Sequence, residues 1–174
     1  MADELGKLLA DATQEVGEQY IHLEIAEGDP VYRERVYCYE LYHQMRLKWT
    51  LPFVLSGEVD KKGHPIISGL NMGLPIPDFL VHQPGDMAGN HAVIEVKSQS
   101  GVKGGAQKDF ATLSNFRSKA NYDRAIFLVY GMDVSNDIIE AVTSQGMELA
   151  KGTGIEFWVH AGPKLPAKLI KIFN

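Results

Sequence analysis

Ala125–Tyr130 (AIFLVY) is an unbroken apolar run with Gly131 directly after it. The run is too short for a typical helix and shows no polar alternation. It therefore fits a strand covered on both faces, which belongs in the interior of a sheet sandwiched by helices. Such a strand requires amphipathic helices around it. Leu5, Leu8, Leu9, Ala12 and Val16 recur at helical spacing and predict a helix over 4–18. Val31, Cys38, Leu41, Met45 and Trp49 predict a second over about 31–48, with Asp29 as its cap and Pro30 in its first position. Phe110, Leu113 and Phe116 mark a third over Ala106–Ala120, and Asn136–Leu149 reads as a fourth.

The remaining segments change period. Phe53–Asp60 reads as a strand, Asp60–Pro65 as a turn, Ile66 and Ile67 as the start of a returning strand, and the Gly- and Pro-rich Ser68–Pro77 as a loop. Phe79–His82 and His91–Lys97 read as two strands of a hairpin joined by the polar turn Gln83–Asn90. Gly101–Gly105 is expected to be a flexible connection. Ile155–His160 reads as a further strand and Leu169–Phe173 as an edge strand. The order gives an α/β sandwich with a mixed sheet. It predicts a single domain over 1–174, with an acidic helical segment over 1–30, a core over 31–130, and a C-terminal helix and strands over 131–174.

One cysteine excludes an internal disulfide framework and fits a reducing compartment. The N-terminal residues lack the basic and then apolar regions of a secretion signal, and no stretch approaches 18 apolar residues. A cytoplasmic protein without a membrane span is expected. The net charge of -5 argues at first sight against binding a phosphate backbone. However, residues 1–30 carry eight acidic residues and one Lys, whereas residues 91–124 carry six basic residues against three acidic. The acidity marks an N-terminal segment suited to a protein partner and leaves the rest of the chain free to meet DNA.

The chemistry concentrates in Asp78, Glu95 and Lys97. Strand alternation places Glu95 and Lys97 on one face, with Ile94 and Val96 on the other. A hairpin can carry Asp78, just before Phe79, to Glu95. Two carboxylates make a hard oxygen site that suits Mg²⁺ or Mn²⁺ better than zinc, with the Val96 carbonyl as a further ligand. Lys97 beside it could orient or help deprotonate water and offset charge on a phosphate. Asp78 could equally open a turn after Pro77. A carboxylate inside the apolar run AVIEVK is costly unless something pairs with it, so a metal explains Glu95 better than a bland role.

Pro77-Asp78, sixteen intervening residues, then Glu95-Val96-Lys97 resembles the PD-(D/E)XK, or restriction-endonuclease-like, nuclease superfamily. The pattern is nearest to its small Holliday-junction-resolvase-like members. The resemblance implies an α-β-β-β-α-β core over 31–130 and a metal-dependent endonuclease acting on DNA. Asp78 and Glu95 would hold the metal, Lys97 would assist attack, and Glu40 of the preceding helix would support a metal; Glu40 could also be an ordinary exposed residue. Gln107 and Lys108, near the start of the following helix, are expected to contact DNA. Ser98, Gln99, Lys103 and Arg117 extend that footprint, although a solvated helix face would carry similar residues. Recognition of DNA structure, or targeting by a partner, is expected ahead of long-site specificity. A homodimer would suit cleavage of both strands. The alternative is an inactive nuclease-like subunit that binds DNA or protein within a repair or defence assembly.

Overall fold

Ala125–Tyr130 is buried throughout and lies inside a six-stranded sheet. The computed structural model describes residues 4–59 and 76–174. The described elements are α1 (Glu4–Thr13), α2 (Glu18–Ile21), β1 (Leu23–Ile25), β2 (Gly28–Val31), α3 (Glu34–Leu47), β3 (Val54–Gly57), β4 (Phe79–His82), β5 (Asn90–Ser98), α4 (Val102–Lys119), β6 (Arg124–Tyr130), α5 (Asn136–Leu149), β7 (Ile155–His160) and β8 (Lys168–Phe173). The large sheet runs in the order β3-β4-β5-β6-β7-β8. Strands β5, β6 and β7 are parallel, and the remaining pairs are antiparallel. Among the described residues the order from α3 to β6 is α-β-β-β-α-β, and α4 supplies the crossover that parallel neighbours need.

Each face of the sheet has its own core. Leu5 and Leu9 of α1 and Tyr37, Leu41 and Met45 of α3 cover Ile94, Val96, Ile126 and Leu128. Phe110, Leu113 and Phe116 of α4 cover Val93, Phe127, Val129 and Phe157 on the other face. Burying one such side chain stabilises the fold by about 1.5–3 kcal/mol, so the two layers hold the sheet rigidly. The hydroxyl of Tyr37 meets His160 Nδ1 at 2.7 Å and its ring stacks on Tyr130 with centroids 3.8 Å apart, fixing α3 over the carboxyl ends of β6 and β7. Among the described residues, no helix is long and apolar enough to cross a membrane.

Three expectations change. The first helix stops at Thr13, whose hydroxyl lies 2.9 Å from the carbonyls of Leu9 and Ala10 and accepts the Ala167 N–H at 2.8 Å. Asp29 and Pro30 do not cap a helix. They lie in β2, which pairs with β1 around a turn where Glu27 takes φ 59°. A two-stranded sheet has an outer edge on each strand, so the missing N–H of Pro30 is tolerated there. The segment 1–30 is thus part helix and part hairpin, and the apolar face of α1 packs into the core. Finally, Val102–Gly105 is no flexible connection but the first turn of α4. The first sheet strand is described over Val54–Gly57. The Asp60–Pro65 turn, the Ile66–Ile67 strand and most of the Ser68–Pro77 loop lie outside the described residues.

Candidate active site

The pairing of β4 with β5 builds the first part of the site. Phe79 is opposite Ile94, so one further step sets Asp78 opposite Glu95. Asp78 Oδ2 accepts the Val96 N–H at 2.7 Å, which fixes the carboxylate against the strand edge. In an extended strand the N–H and C=O of a residue leave by the same edge, so the Val96 carbonyl is directed to the Asp78 side as well. Glu95 is only 8% exposed. Its carboxyl group lies within hydrogen-bonding reach of Asp78.

Two carboxyls this close and this buried resist ionising together. Burial raises the pKa of Asp78 to about 6, against the lowering influence of the Val96 N–H and of Lys97. Burial also holds Glu95 well above the ordinary carboxylate range, and the charges of Asp78 and Asp109 push the same way. Among the described residues, no Lys, Arg or His forms an ion pair with either carboxylate. Lys97 offsets their charge only through space, and burial holds both toward the protonated form.

Lys97 points its ammonium elsewhere. Its Nζ lies 3.2 Å from Glu34 Oε2 and 3.1 Å from Asp109 Oδ2. Burial alone would lower its pKa, but Asp109 and Glu34 outweigh it and raise the value. Lys97 is consequently a fixed positive charge at neutral pH. Asp109 is itself raised, chiefly by burial, with Lys97 acting in the opposite sense. Glu34 also accepts the Ser98 N–H at 3.2 Å, which joins the start of α3 to the end of β5.

The glycines after β5 make this arrangement possible. A Cβ at Gly101 would lie 2.9 Å from Glu34 Oε1 and 3.0 Å from Lys97 Cδ. At Gly105 it would lie 3.1 Å from Lys97 Cε and 3.2 Å from Nζ. The lysine thus lies flat on the first turn of α4 and reaches Asp109 one turn along. Glycine inside a helix costs about 0.5–1 kcal/mol relative to alanine, and here it leaves the room that Lys97 occupies.

Asp78, Glu95, Val96 and Lys97 come together as expected, whereas Glu40 does not join them. Its carboxylate accepts from Gln44 Nε2 at 2.6 Å on another side of α3, and Glu34 takes the place on the site face. Residues 34, 38, 41 and 45 share one helical stripe with the buried Cys38, Leu41 and Met45, a register that marks Glu34 and leaves out Glu40. Asp109 is likewise flanked on its helix stripe by Ala106, Phe110 and Leu113. A lone carboxylate on each apolar stripe was the available signal.

The expected DNA contacts divide into two groups. Lys103, Gln107 and Lys108 are exposed on the first turns of α4, close to Lys97 in the fold. Ser98 is buried, and its hydroxyl lies 3.4 Å from Glu34. Gln99 donates to the Tyr32 hydroxyl at 2.6 Å. Arg117 lies at the opposite end of α4 and donates to the carbonyls of Thr153, Tyr122 and Asp123. These last three side chains brace the fold and do not present their polar groups to a phosphate as expected.

The donor set fits a hard divalent cation. Among the described residues, no group of three His, Cys, Asp or Glu side chains is placed to hold a metal. Two carboxylates and a carbonyl remain, and Mg²⁺ characteristically combines one or two protein carboxylates with water and substrate phosphate. Asp78, Glu95 and the Val96 carbonyl are the donors that could hold such an ion.

No protein-family model matches this chain, and no curated protein matches it. A solved structure of Pyrococcus furiosus SfsA in complex with Ca²⁺ is similar at 13% sequence identity and a TM-score of 0.40. The match covers 83% of this chain, which spans only 66% of that structure's length.

Proposed function

We propose that the chain is a metal-dependent nuclease that hydrolyses phosphodiester bonds in DNA. The observation that carries this reading is the buried Asp78–Glu95 pair, left without a cationic partner while Lys97 is held charged beside it. Asp78, Glu95 and the Val96 carbonyl would hold Mg²⁺ or Mn²⁺. When bound, such an ion supplies Lewis-acid activation of water and stabilises charge developing on the phosphate.

The chain's own residues do the remainder. Asp78 is aimed by the Val96 N–H. Lys97, clamped by Glu34 and Asp109, presents a fixed positive charge to the phosphate or to the attacking water. Its raised pKa suits electrostatic stabilisation and makes it a poor proton acceptor at neutral pH. Lys103, Gln107 and Lys108 extend from the same helix end toward the flanking phosphates. A homodimer or a protein partner would extend the surface that meets DNA around this site.

The test is cleavage of linear, branched and single-stranded DNA with Mg²⁺ or Mn²⁺, comparing the wild type with Asp78→Ala and Lys97→Ala. Metal-dependent cleavage lost in both variants is the expected result. Cleavage unchanged in both would sink the assignment. Binding without any cleavage would leave the chain a nuclease-like DNA-binding subunit.

A further inference from the structure

A cavity of about 290 Å³ lies between α3 and the end of the β3–β4 pair. Its walls include Tyr39 and Tyr42 of α3, Gly57 and Glu58 at the end of β3, and Asp78 and Phe79 of the metal-binding side. It therefore shares one residue, Asp78, with the candidate site.

The chemistry of those walls is specific. The rings of Tyr42 and Phe79 are within 17° of parallel, with centroids 6.4 Å apart. Gly57 fronts both of them. A Cβ there would lie 3.8 Å from Tyr42 Cδ2, 3.9 Å from Phe79 Cδ1 and no closer than 3.7 Å to the Asp78 carbonyl oxygen. Those are ordinary contact distances, so a side chain fits at this position and its absence leaves space beside half-buried Tyr42, with Phe79 buried beneath. At the rim, Glu58 pairs with Arg35 at 2.9 Å, and the Arg35 side chain is 70% exposed.

Size and charge limit what can enter. The volume lies at the lower end of the range for small-molecule pockets, which admits one flat heterocycle and excludes a base pair. The Glu58 carboxylate at the rim repels a free phosphate and can accept from N–H groups. The aromatic walls favour a planar ring. Arg35, outside the rim, is placed to meet the negative charge that such a ring would bring with it. These are the properties of a pocket for an unpaired base with its phosphate left outside.

We infer that the cavity receives a single unpaired nucleobase of the DNA substrate, beside the phosphate presented to Asp78 and Glu95. This rests on the nuclease reading and narrows it: the preferred substrate carries an unpaired nucleotide at or next to the cut. Flaps, junctions and single strands satisfy that condition, and continuous duplex does not.

The experiment separates this inference from the nuclease reading itself. Single-stranded oligonucleotides carrying one 2-aminopurine are titrated with the full chain in EDTA, where nothing metal-dependent can cut. Wild type is expected to quench the fluorescence about threefold, as stacking on an aromatic wall does. Gly57→Val, which fills the gap, and Tyr39→Ala, which removes an exposed wall, are expected to quench far less at unchanged melting temperature. In Mn²⁺, wild type is expected to cut an intact strand roughly tenfold faster than one with an abasic residue beside the cut, and Gly57→Val is expected to erase the difference. If Gly57→Val loses its cooperative melt, Tyr39→Ala decides alone. Quenching that both folded variants retain overturns the inference even where Asp78-dependent cleavage is observed. Gly57-dependent quenching without cleavage by any sample upholds the cavity and removes the nuclease reading.

Discussion

Two regions of the sheet bury charge, and they balance it in opposite ways. At the start of the parallel strands, Arg124 of β6 meets Glu156 of β7 through two contacts of 2.8 Å, and Trp158 Nε1 donates to the same carboxylate at 2.9 Å. One cation faces one anion in a bidentate geometry that satisfies both. Toward the carboxyl end of β5, Glu34, Asp78, Glu95 and Asp109 gather around the single ammonium of Lys97, which pairs only with Glu34 and Asp109 among the described residues. The first region closes its own electrostatics and acts as a staple. The second leaves a carboxylate pair that destabilises the fold on its own, a state that makes sense when something external completes it.

The widest gap between the regions is expected in activity. Asp78→Ala or Glu95→Gln should lower metal-dependent cleavage by about a thousandfold, since each removes a group proposed to hold the ion that stabilises charge at the phosphate. Glu156→Gln should leave the cleavage rate within a small factor of wild type. Its cost falls on stability, by about 3–5 kcal/mol in urea unfolding, because the bidentate pairing between β6 and β7 is broken. The Arg124 side chain stays 18% exposed, which keeps the cost toward the lower part of that range. A Glu156→Gln protein as inactive as Asp78→Ala would erase the distinction between staple and site.

The two regions were not equally legible. Ala125–Tyr130 announced an interior strand because an unbroken apolar run has few other places to go, and alternation placed Glu95 with Lys97. Both are local properties. The hairpin holding Asp29 and Pro30 depends on Leu23 pairing with Val31, a cross-strand contact that no helix-cap pattern reports. The glycines at 101–105 read as a loop because glycine disfavours helix, whereas packing against Lys97 from another element decides the matter. Arg117 carries the charge of a phosphate contact. Only the fold reveals that three carbonyls consume it. Glu34 and Asp109 stood on apolar stripes where a carboxylate is out of place. That sign of function was weaker in the sequence than the family-like position of Glu40.

The unbalanced pair also predicts how stability follows pH. Between about 4 and 6 the folded state holds on to the Asp78 proton while the unfolded chain has released it, so stability falls as pH rises through that window. The loss should amount to roughly 2–3 kcal/mol and persist at higher pH, with Glu95 contributing in the same direction. Asp78→Asn should be more stable than metal-free wild type at pH 8 and lose that advantage toward pH 4. Adding Mg²⁺ or Mn²⁺ should raise the wild-type melting temperature at pH 8 and do little for Asp78→Asn. Thermal melts from pH 4 to 8.5, with and without metal, measure all of this. A wild-type curve that rises steadily across the window would show the pair to be as well balanced as Arg124–Glu156.

The smallest effect is the sharpest, because it compares two adjacent residues. Gly104 and Gly105 both lie in the first turn of α4, and alanine at either should stabilise the helix by about 0.5–1 kcal/mol. A Cβ at Gly104 meets nothing within 4 Å, whereas at Gly105 it comes within 3.1 Å of Lys97 Cε. The lysine is the flexible partner, so it should yield and carry its ammonium off the line between Glu34 and Asp109. Gly104→Ala should therefore gain stability at unchanged cleavage, whereas Gly105→Ala should gain less and cleave about tenfold more slowly, the cost of misplacing a charge that must meet a transition state. Equal rates in the two variants would mean that the position of Lys97 is loosely held. The clamp from Glu34 and Asp109 would then belong with the structural staple at the other end of the sheet.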